Sequence, residues 1–258
     1  MLPELKRTNF YKGEILMNRK LDVVITMAGL GSRFRKAGYK VPKYMIEAHG
    51  KTLFEWSMIS LSDYQKQAEQ YIFIVRREDN ASQFIKAECE KLGILNSKII
   101  EIDYLTDGQA TTAMLAKEVW NKENGLLIYN IDTYVEKGQM KYEDLRGEGF
   151  IPCFYGEGDH WSFVKLNKSG KAVEVREKER ISEFCTLGAY YFSSCALYEE
   201  LYSEYYSSSE KLEKGEKYVA PLYNYLIEKG KAVYISVVDA KTIHVLGTPE
   251  ELEVFLNQ

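Results

Sequence analysis

Three short apolar runs constrain this chain more than any other feature. Residues 21–28, 71–75 and 126–131 are dominated by Val, Ile, Leu and aromatic side chains, with little polar alternation. A strand with one wet face alternates, whereas a strand covered on both faces reads as a continuous apolar run. Helical stretches lie between these runs. Thr52-Leu53-Phe54-Glu55 has the form of a capping box and predicts a helix to about Leu61. Residues 80–92 have helical spacing, with Gly93 placed to end them. Residues 98–102 read as a strand and 109–120 as a helix rich in Ala, Leu and Met. Strands alternating with helices imply a parallel sheet with right-handed crossovers. Ligands of such sheets bind beyond the carboxyl ends of the strands. That rule points to the residues after Ala28, after Val75 and after Ile131.

The pattern changes near residue 150. Strands are predicted at 151–155, 162–166, 172–176, 186–192 and 232–238, and Asn167-Lys168-Ser169-Gly170-Lys171 supplies a hairpin turn. Helices are predicted at 196–206 and 220–228. A last helix opens at Thr248-Pro249-Glu250-Glu251, with a Thr cap, Pro at the first position and acids in the first turn. The small and charged run 207–217 reads as a loop. The expected fold class is α/β: a three-layer, Rossmann-like, mixed and mainly parallel sheet with helices on both faces. The second half is expected to lay a mixed sheet against the first, not to form an independent domain. Residues 1–18 read as an N-terminal extension, with Met17 as an alternative start, and 19–258 as a single domain.

Composition narrows the function classes. Of 258 residues, 45% are apolar and 28% charged, which excludes collagen-like, disordered and disulfide-scaffold chains. A net charge of −4 argues against a broad nucleic-acid-binding face. No apolar run approaches the ~18 residues of a membrane span. The first twenty residues lack the apolar core of a secretory signal. Cys89, Cys153, Cys185 and Cys195 form no CxxC pair, so reduced, buried thiols and a cytoplasmic location are expected.

The loop after the first apolar run carries the chemistry. Its sequence is Gly29-Leu30-Gly31-Ser32-Arg33-Phe34, followed by Pro42-Lys43. Phe34 occupies the third-glycine position of a dinucleotide fingerprint, and no Gly-Lys-Ser/Thr ending of a P-loop is present. What remains is a glycine-rich turn whose amides can approach phosphate oxygens, with two cations behind it. Arg33 offers a planar fork and Lys43 a compact charge. A plain glycine-rich connection with surface cations is the competing reading.

Ala28-Gly29-Leu30-Gly31-Ser32-Arg33 with Pro42-Lys43 resembles the G-x-G-x-R…P-K signature of the nucleotidylyltransferase family. That family includes sugar 1-phosphate nucleotidylyltransferases and choline-phosphate cytidylyltransferases. Asp107-Gly108-Gln109-Ala110-Thr111-Thr112-Ala113 is similar to its base-contacting segment, and Asn130-Ile131-Asp132-Thr133 to its strand-end metal aspartate. Arg176-Glu177-Lys178 resembles its acceptor-facing E-K segment. Gly188-Ala189-Tyr190-Tyr191-Phe192 resembles the strand that follows, and Gly247-Thr248-Pro249-Glu250-Glu251-Leu252 the closing G-T-P-E-D-L. The resemblance runs through most of the chain, and six segments fall in the family's order. It implies a GT-A-like nucleotidyltransferase fold, with a nucleotide-binding half at 19–150 and an acceptor-binding half at 151–258. The chain ends soon after the closing motif, so the short form without a C-terminal repeat domain is expected.

The same resemblance implies transfer of a nucleotidyl group from a nucleoside triphosphate to a sugar 1-phosphate or a phosphorylated alcohol such as phosphocholine, with release of pyrophosphate. It assigns Arg33 and Lys43 to catalysis, and Ala28, Gly29, Gly31, Ser32, Gly108 and Gln109 to the nucleotide. Lys178, Glu177 and Asp132 face the acceptor, and Asp132 binds Mg²⁺. The product would serve surface polysaccharide or lipid decoration, and a homodimer is the assembly the resemblance suggests. Val245 stands where many relatives carry a second metal-binding aspartate. A catalytically silent nucleotide-binding subunit is therefore an alternative. A metal-dependent glycosyltransferase is another, although that class lacks the Arg33 and Pro42-Lys43 loop. At single positions plainer roles compete. Asp132 could cap a turn, and Lys178 could end a solvated hairpin. His160-Trp161 could be a packed pair and His49-Gly50 a turn. His244 is a candidate metal or phosphate contact. Tyr202, Tyr205 and Tyr206 suit packing or a subunit contact.

Overall fold

A computed structural model describes residues 19–208, 211–213 and 215–258. The expected N-terminal extension, and the suggestion that Met17 is an alternative start, lie outside the described residues.

The elements follow the chain in this order: β1 (Leu21–Thr26), α1 (Ser32–Lys36), β2 (Glu47–Ala48), β3 (Lys51–Thr52), α2 (Leu53–Ile59), β4 (Ala68–Arg76), α3 (Ser82–Lys91), β5 (Ser97–Ile102), α4 (Gln109–Met114), β6 (Gly125–Asn130) and β7 (Thr133–Val135). There follow β8 (Gly149–Tyr155), β9 (Ser162–Leu166), β10 (Ala172–Glu177), β11 (Phe184–Thr186), β12 (Ala189–Phe192), α5 (Cys195–Tyr205), α6 (Leu222–Glu228), β13 (Val233–Val237), β14 (Ile243–Val245) and α7 (Pro249–Leu256).

The three apolar runs form β1, β4 and β6. With β5 they run parallel in the order β5-β4-β1-β6. Alternate residues of β1 explain the absence of polar alternation. Val23 and Ile25 enter one apolar layer with Phe54 and Met58 of α2 and Ile85 of α3. Val24 enters the opposite layer with Ala110 and Ala113 of α4, Tyr198 and Leu201 of α5, and Leu222 and Tyr223 of α6. The architecture is thus three-layered, with helices on both faces of a mixed sheet.

The second half continues this sheet edge to edge. β12 pairs antiparallel with β6, and also with β8. β11 pairs with β8 and β9, and β13 runs parallel to β8. The strand expected over 186–192 is divided at Leu187-Gly188. Gly188 sits at φ +83°, and a Cβ there would come within 2.6 Å of the Asn130 side chain. This corner turns the chain from β9 towards β6 and opens space beyond the end of β6. The helix expected over 109–120 is also divided: α4 gives way at Leu115–Glu118 to a tighter 3-10 turn.

Thr52 caps α2 by accepting the Glu55 amide hydrogen. The Glu55 carboxylate does not reach back as a full capping box would, because it pairs with Lys91 of α3 instead. Thr248 caps α7 in the same way, with Pro249 at the helix start. His49 and Gly50 both take positive φ in the tight turn between β2 and β3, the conformation of a hairpin turn. Four short strands carry no signal of their own in the sequence, β2 with β3 and β7 with β14. β7 and β14 pair antiparallel, setting Val245 opposite Thr133 and bringing residues 243–247 alongside Asp132.

Candidate active site

The carboxyl ends of β1 and β6 open on a cavity of about 670 Å³. Of the residues singled out in the sequence, Ala28, Gly29, Arg33, Lys43, Gly108, Gln109, Asp132, Glu177 and Lys178 all line it. Gly31 does not. At φ +60° it turns the chain into α1 and lines a smaller groove, which shares Met27, Gly29 and Lys43 with the cavity. Ser32 is exposed as the first residue of α1 and lines neither space.

The residues after Val75 turn elsewhere. Glu78 pairs with Arg35 and Arg76, and Asp79 accepts the Tyr44 hydroxyl at 3.0 Å. The end of β4 therefore braces the 3-10 turn Lys43–Met45 from behind instead of meeting a ligand. That turn starts after Pro42 and aims Lys43 inward, where its ammonium meets Asp132 Oδ2 at 2.7 Å. Burial works against ionisation of Asp132. The charge and hydrogen bond of Lys43 outweigh it, with Arg33 adding, and hold the carboxyl below its ordinary range.

Gly108 lies at φ +141°, with the backbone of Lys217 packed directly against it. Gln109 does not point freely at a ligand. Its amide nitrogen donates to Thr26 Oγ1 at 3.3 Å and to Asn130 Oδ1. Thr26 and Asn130 are register partners at the ends of β1 and β6, so Gln109 ties the start of α4 to both strand ends.

On the far side, the β9–β10 hairpin presents Trp161, Ser162, Glu177 and Lys178. Lys178 takes φ +55°, uncommon for a long side chain, and its amide donates to Trp161 O at 2.8 Å. Strain of this kind is held at functional sites by the surrounding structure. Lys178 Nζ donates to the Tyr218 hydroxyl at 2.8 Å and lies 3.5 Å from Glu177 Oε1. Burial would lower the Lys178 pKa, but the bond to Tyr218 and the charge of Glu177 more than offset it, so the pKa lies above the ordinary lysine value. Glu177 in turn accepts the Ser162 hydroxyl.

Thr26, Asn130, Gly188, Tyr190, Glu216, Tyr218 and Glu251 also line the cavity and were not singled out for it. Asn130, Gly188, Tyr190 and Glu251 fall inside the segments that carry the family resemblance. Glu216 and Tyr218 come from or adjoin the run read as a loop, where no periodicity marks them. His160 and Trp161 do face the cavity, their rings 4.3 Å apart. His244 does not: it stacks on Tyr134 at 5.1 Å and lies 3.5 Å from Glu136. Tyr202 and Tyr206 pack within the chain, Tyr202 beside Thr111 and Tyr206 donating to Tyr218 O. The four cysteines are buried and unpaired.

Neither a family model nor a curated protein matches this chain. Among solved structures it is similar to the nucleoside-diphosphate-sugar pyrophosphorylase from Vibrio cholerae. The two share 38% identity and a TM-score of 0.85, over 92% of this chain and 100% of that one. It is also similar to the inositol-1-phosphate CTP transferase from T. maritima, at 16% identity and TM-score 0.72 over 92% of this chain and 94% of that one. The CTP:phosphocholine cytidylyltransferase from Streptococcus pneumoniae gives 19% identity and TM-score 0.70, over 92% of this chain and 98% of that one. At these lower identities the likeness shows the fold alone.

Proposed function

The chain belongs to the nucleotidylyltransferase family, and from that premise we propose that it transfers a nucleotidyl group from a nucleoside triphosphate to the phosphate of a sugar 1-phosphate or phosphorylated alcohol, releasing pyrophosphate. One observation carries the reading. A single cavity gathers Arg33 of α1, Lys43 of the 3-10 turn after Pro42, Asp132 beyond the end of β6, and Lys178 from the opposite hairpin.

Both reactants are anions, so the barrier is largely repulsion and alignment, which fixed charges lower. The attacking phosphate is already ionised and needs no base. Arg33 would neutralise the departing pyrophosphate. Lys43, steadied by Asp132 at 2.7 Å, would hold the α-phosphate while charge develops. Lys178, steadied by Tyr218 and Glu177, would hold the acceptor phosphate in line.

Mg²⁺ is the cofactor we propose, with Asp132 as its protein ligand. The donor chemistry fits, because carboxylate oxygens suit this ion. Gly247 also leaves an opening: a Cβ there would stand 3.4 Å from Asp132 Oδ2 and 3.4 Å from Glu251 Oε2. When bound, Mg²⁺ supplies neutralisation of phosphate charge. Among the described residues no group of three or more acidic, histidine or cysteine side chains is placed to hold a metal, so triphosphate oxygens would supply further ligands.

The aromatic rings of Trp161, Tyr190 and Tyr218 near the carboxylates of Glu177 and Glu216 favour a second version, in which the acceptor is a phosphorylated alcohol with a cationic end. Four buried, unpaired cysteines support a reducing, cytoplasmic setting for either version. The test crosses CTP, UTP, dTTP, ATP and GTP with sugar 1-phosphates, phosphocholine and phosphoethanolamine in the presence of Mg²⁺. Pyrophosphate release that requires one triphosphate and one acceptor together is the expected result. Consumption of the triphosphate without any acceptor, or binding with no release across the panel, would refute transfer.

A further inference from the structure

Two consecutive residues, Lys217 and Tyr218, touch both sides of the cavity. The Lys217 amide donates to Asp107 O at 2.7 Å, and Lys217 O accepts from the Ala110 amide at 3.0 Å. The Lys217 ammonium closes the same contact on Asp107 Oδ2 at 2.9 Å. This segment lies so close to the nucleotide loop that a Cβ on Gly108 would sit 2.3 Å from Lys217 O. The next residue faces the other way. The Tyr218 hydroxyl accepts from Lys178 Nζ at 2.8 Å, and its ring lies 4.6 Å beneath the same ammonium. Tyr218 is itself fixed by the Tyr206 hydroxyl, which donates to Tyr218 O at 2.6 Å. Gly108 and Lys178 are seventy residues apart in sequence, yet two adjacent residues join their surroundings.

We infer that Tyr218 is a positioning residue, and that the Lys217-Tyr218 segment couples occupation of the nucleotide loop to the placement of Lys178. The inference rests on the transferase reading above. A triphosphate that orders residues 107–110 also orders the strand-like contact at Lys217. Tyr218 then holds Lys178 in the orientation that meets an acceptor phosphate. Coupling of this kind is reciprocal, so an acceptor anion tightens the triphosphate by the same factor.

Amide hydrogen exchange tests the inference, with CTP, UTP, dTTP, ATP and GTP each added separately to the full chain. The triphosphate that slows exchange at residues 107–113 is expected to slow it at 176–180 as well. In Tyr218→Ala, protection at 107–113 persists, which also shows that the variant is folded, and protection at 176–180 is lost. Tyr218→Phe keeps the ring beneath Lys178 and gives an intermediate result. In steady-state assays, Tyr218→Ala raises the acceptor KM on the order of tenfold, the scale of one hydrogen bond to a charged group; it leaves triphosphate binding in the absence of acceptor unchanged and removes the tightening by acceptor. Equal protection of 176–180 in wild type and Tyr218→Ala overturns the coupling, as does its absence in wild type. If no triphosphate protects 107–113, the nucleotide reading itself fails and the coupling falls with it.

Discussion

Lys43 and Asp132 show how far a site can be read from residues one at a time. Each was visible in the sequence because loop chemistry demands it locally: a cation after a fixed proline, an acid at the end of an apolar strand. Their contact was not visible, because it spans 89 positions and depends on Asp79 bracing Tyr44 from behind. That contact makes a pH prediction. In wild type the Asp132 carboxyl is held below its ordinary range, so the stability it contributes is present at neutral pH and is lost only as pH falls through that depressed value. In Lys43→Ala the largest attraction is gone and only Arg33 and a backbone hydrogen bond still oppose burial, so the Asp132 pKa rises from its wild-type position. Turnover should fall by about 10²–10³, and the acid limb of the pH–rate profile should move upward. At pH 7 the variant should lose about 1 kcal/mol, towards the modest end because Asp132 keeps 31% exposure. The stability difference should shrink below about pH 4. Rate profiles and urea midpoints at several pH values check this, and an unmoved acid limb would mean that Lys43 does not set the charge of Asp132.

Elements were legible where a periodicity or a cap was local, and illegible where tertiary pairing made them. The buried strands and the Thr52 and Thr248 caps were readable from a few residues each. β7 and β14 are three residues long and exist only because they pair with one another, and no short window of sequence holds that information. Likewise, Glu216 and Tyr218 reach the cavity because Lys217 pairs with the loop at 107–110, a contact no spacing rule contains. Two substitutions separate these kinds of element. Thr248→Ala removes a side chain that accepts the Glu251 amide hydrogen at 3.1 Å, and should cost about 1 kcal/mol with little effect on pyrophosphate release. Gly108→Ala drives a Cβ into the Lys217 backbone, which a flexible side chain cannot relieve. It should cost about 1–3 kcal/mol and abolish transfer by displacing the segment that carries Tyr218. Urea midpoints and initial rates on both variants distinguish them. Normal activity in Gly108→Ala would show that the close approach is not needed.

At the scale of the molecule, the change of pattern near residue 150 does not interrupt the sheet. The parallel strands β5-β4-β1-β6 end at β6, and β12 joins that edge through register pairs from Ala189–Tyr129 to Phe192–Leu126. All six residues of β12 and β6 at the middle of this seam, Leu126, Leu127, Ile128, Tyr190, Tyr191 and Phe192, are at most 5% exposed. Cutting the chain at 150 would leave one fragment with a bare, largely apolar edge at β6, and the other with β12 lacking its β6 partner and β8 cut after its second residue. It would also strip α5 and α6 from the apolar layer they share with β1 and β4. An unpaired apolar edge is a template for aggregation, not a stable boundary. We therefore propose that the two halves do not fold apart, even though each supplies one side of the cavity. We predict a single cooperative urea transition for the whole chain, coincident by fluorescence and far-ultraviolet circular dichroism. Separately expressed fragments 19–150 and 151–258 should show neither near-ultraviolet signal nor a cooperative transition. A folded 19–150 fragment that still bound a triphosphate would show that the seam at β6 and β12 joins two self-sufficient units. The opposite result means that neither side of the cavity is built without the other.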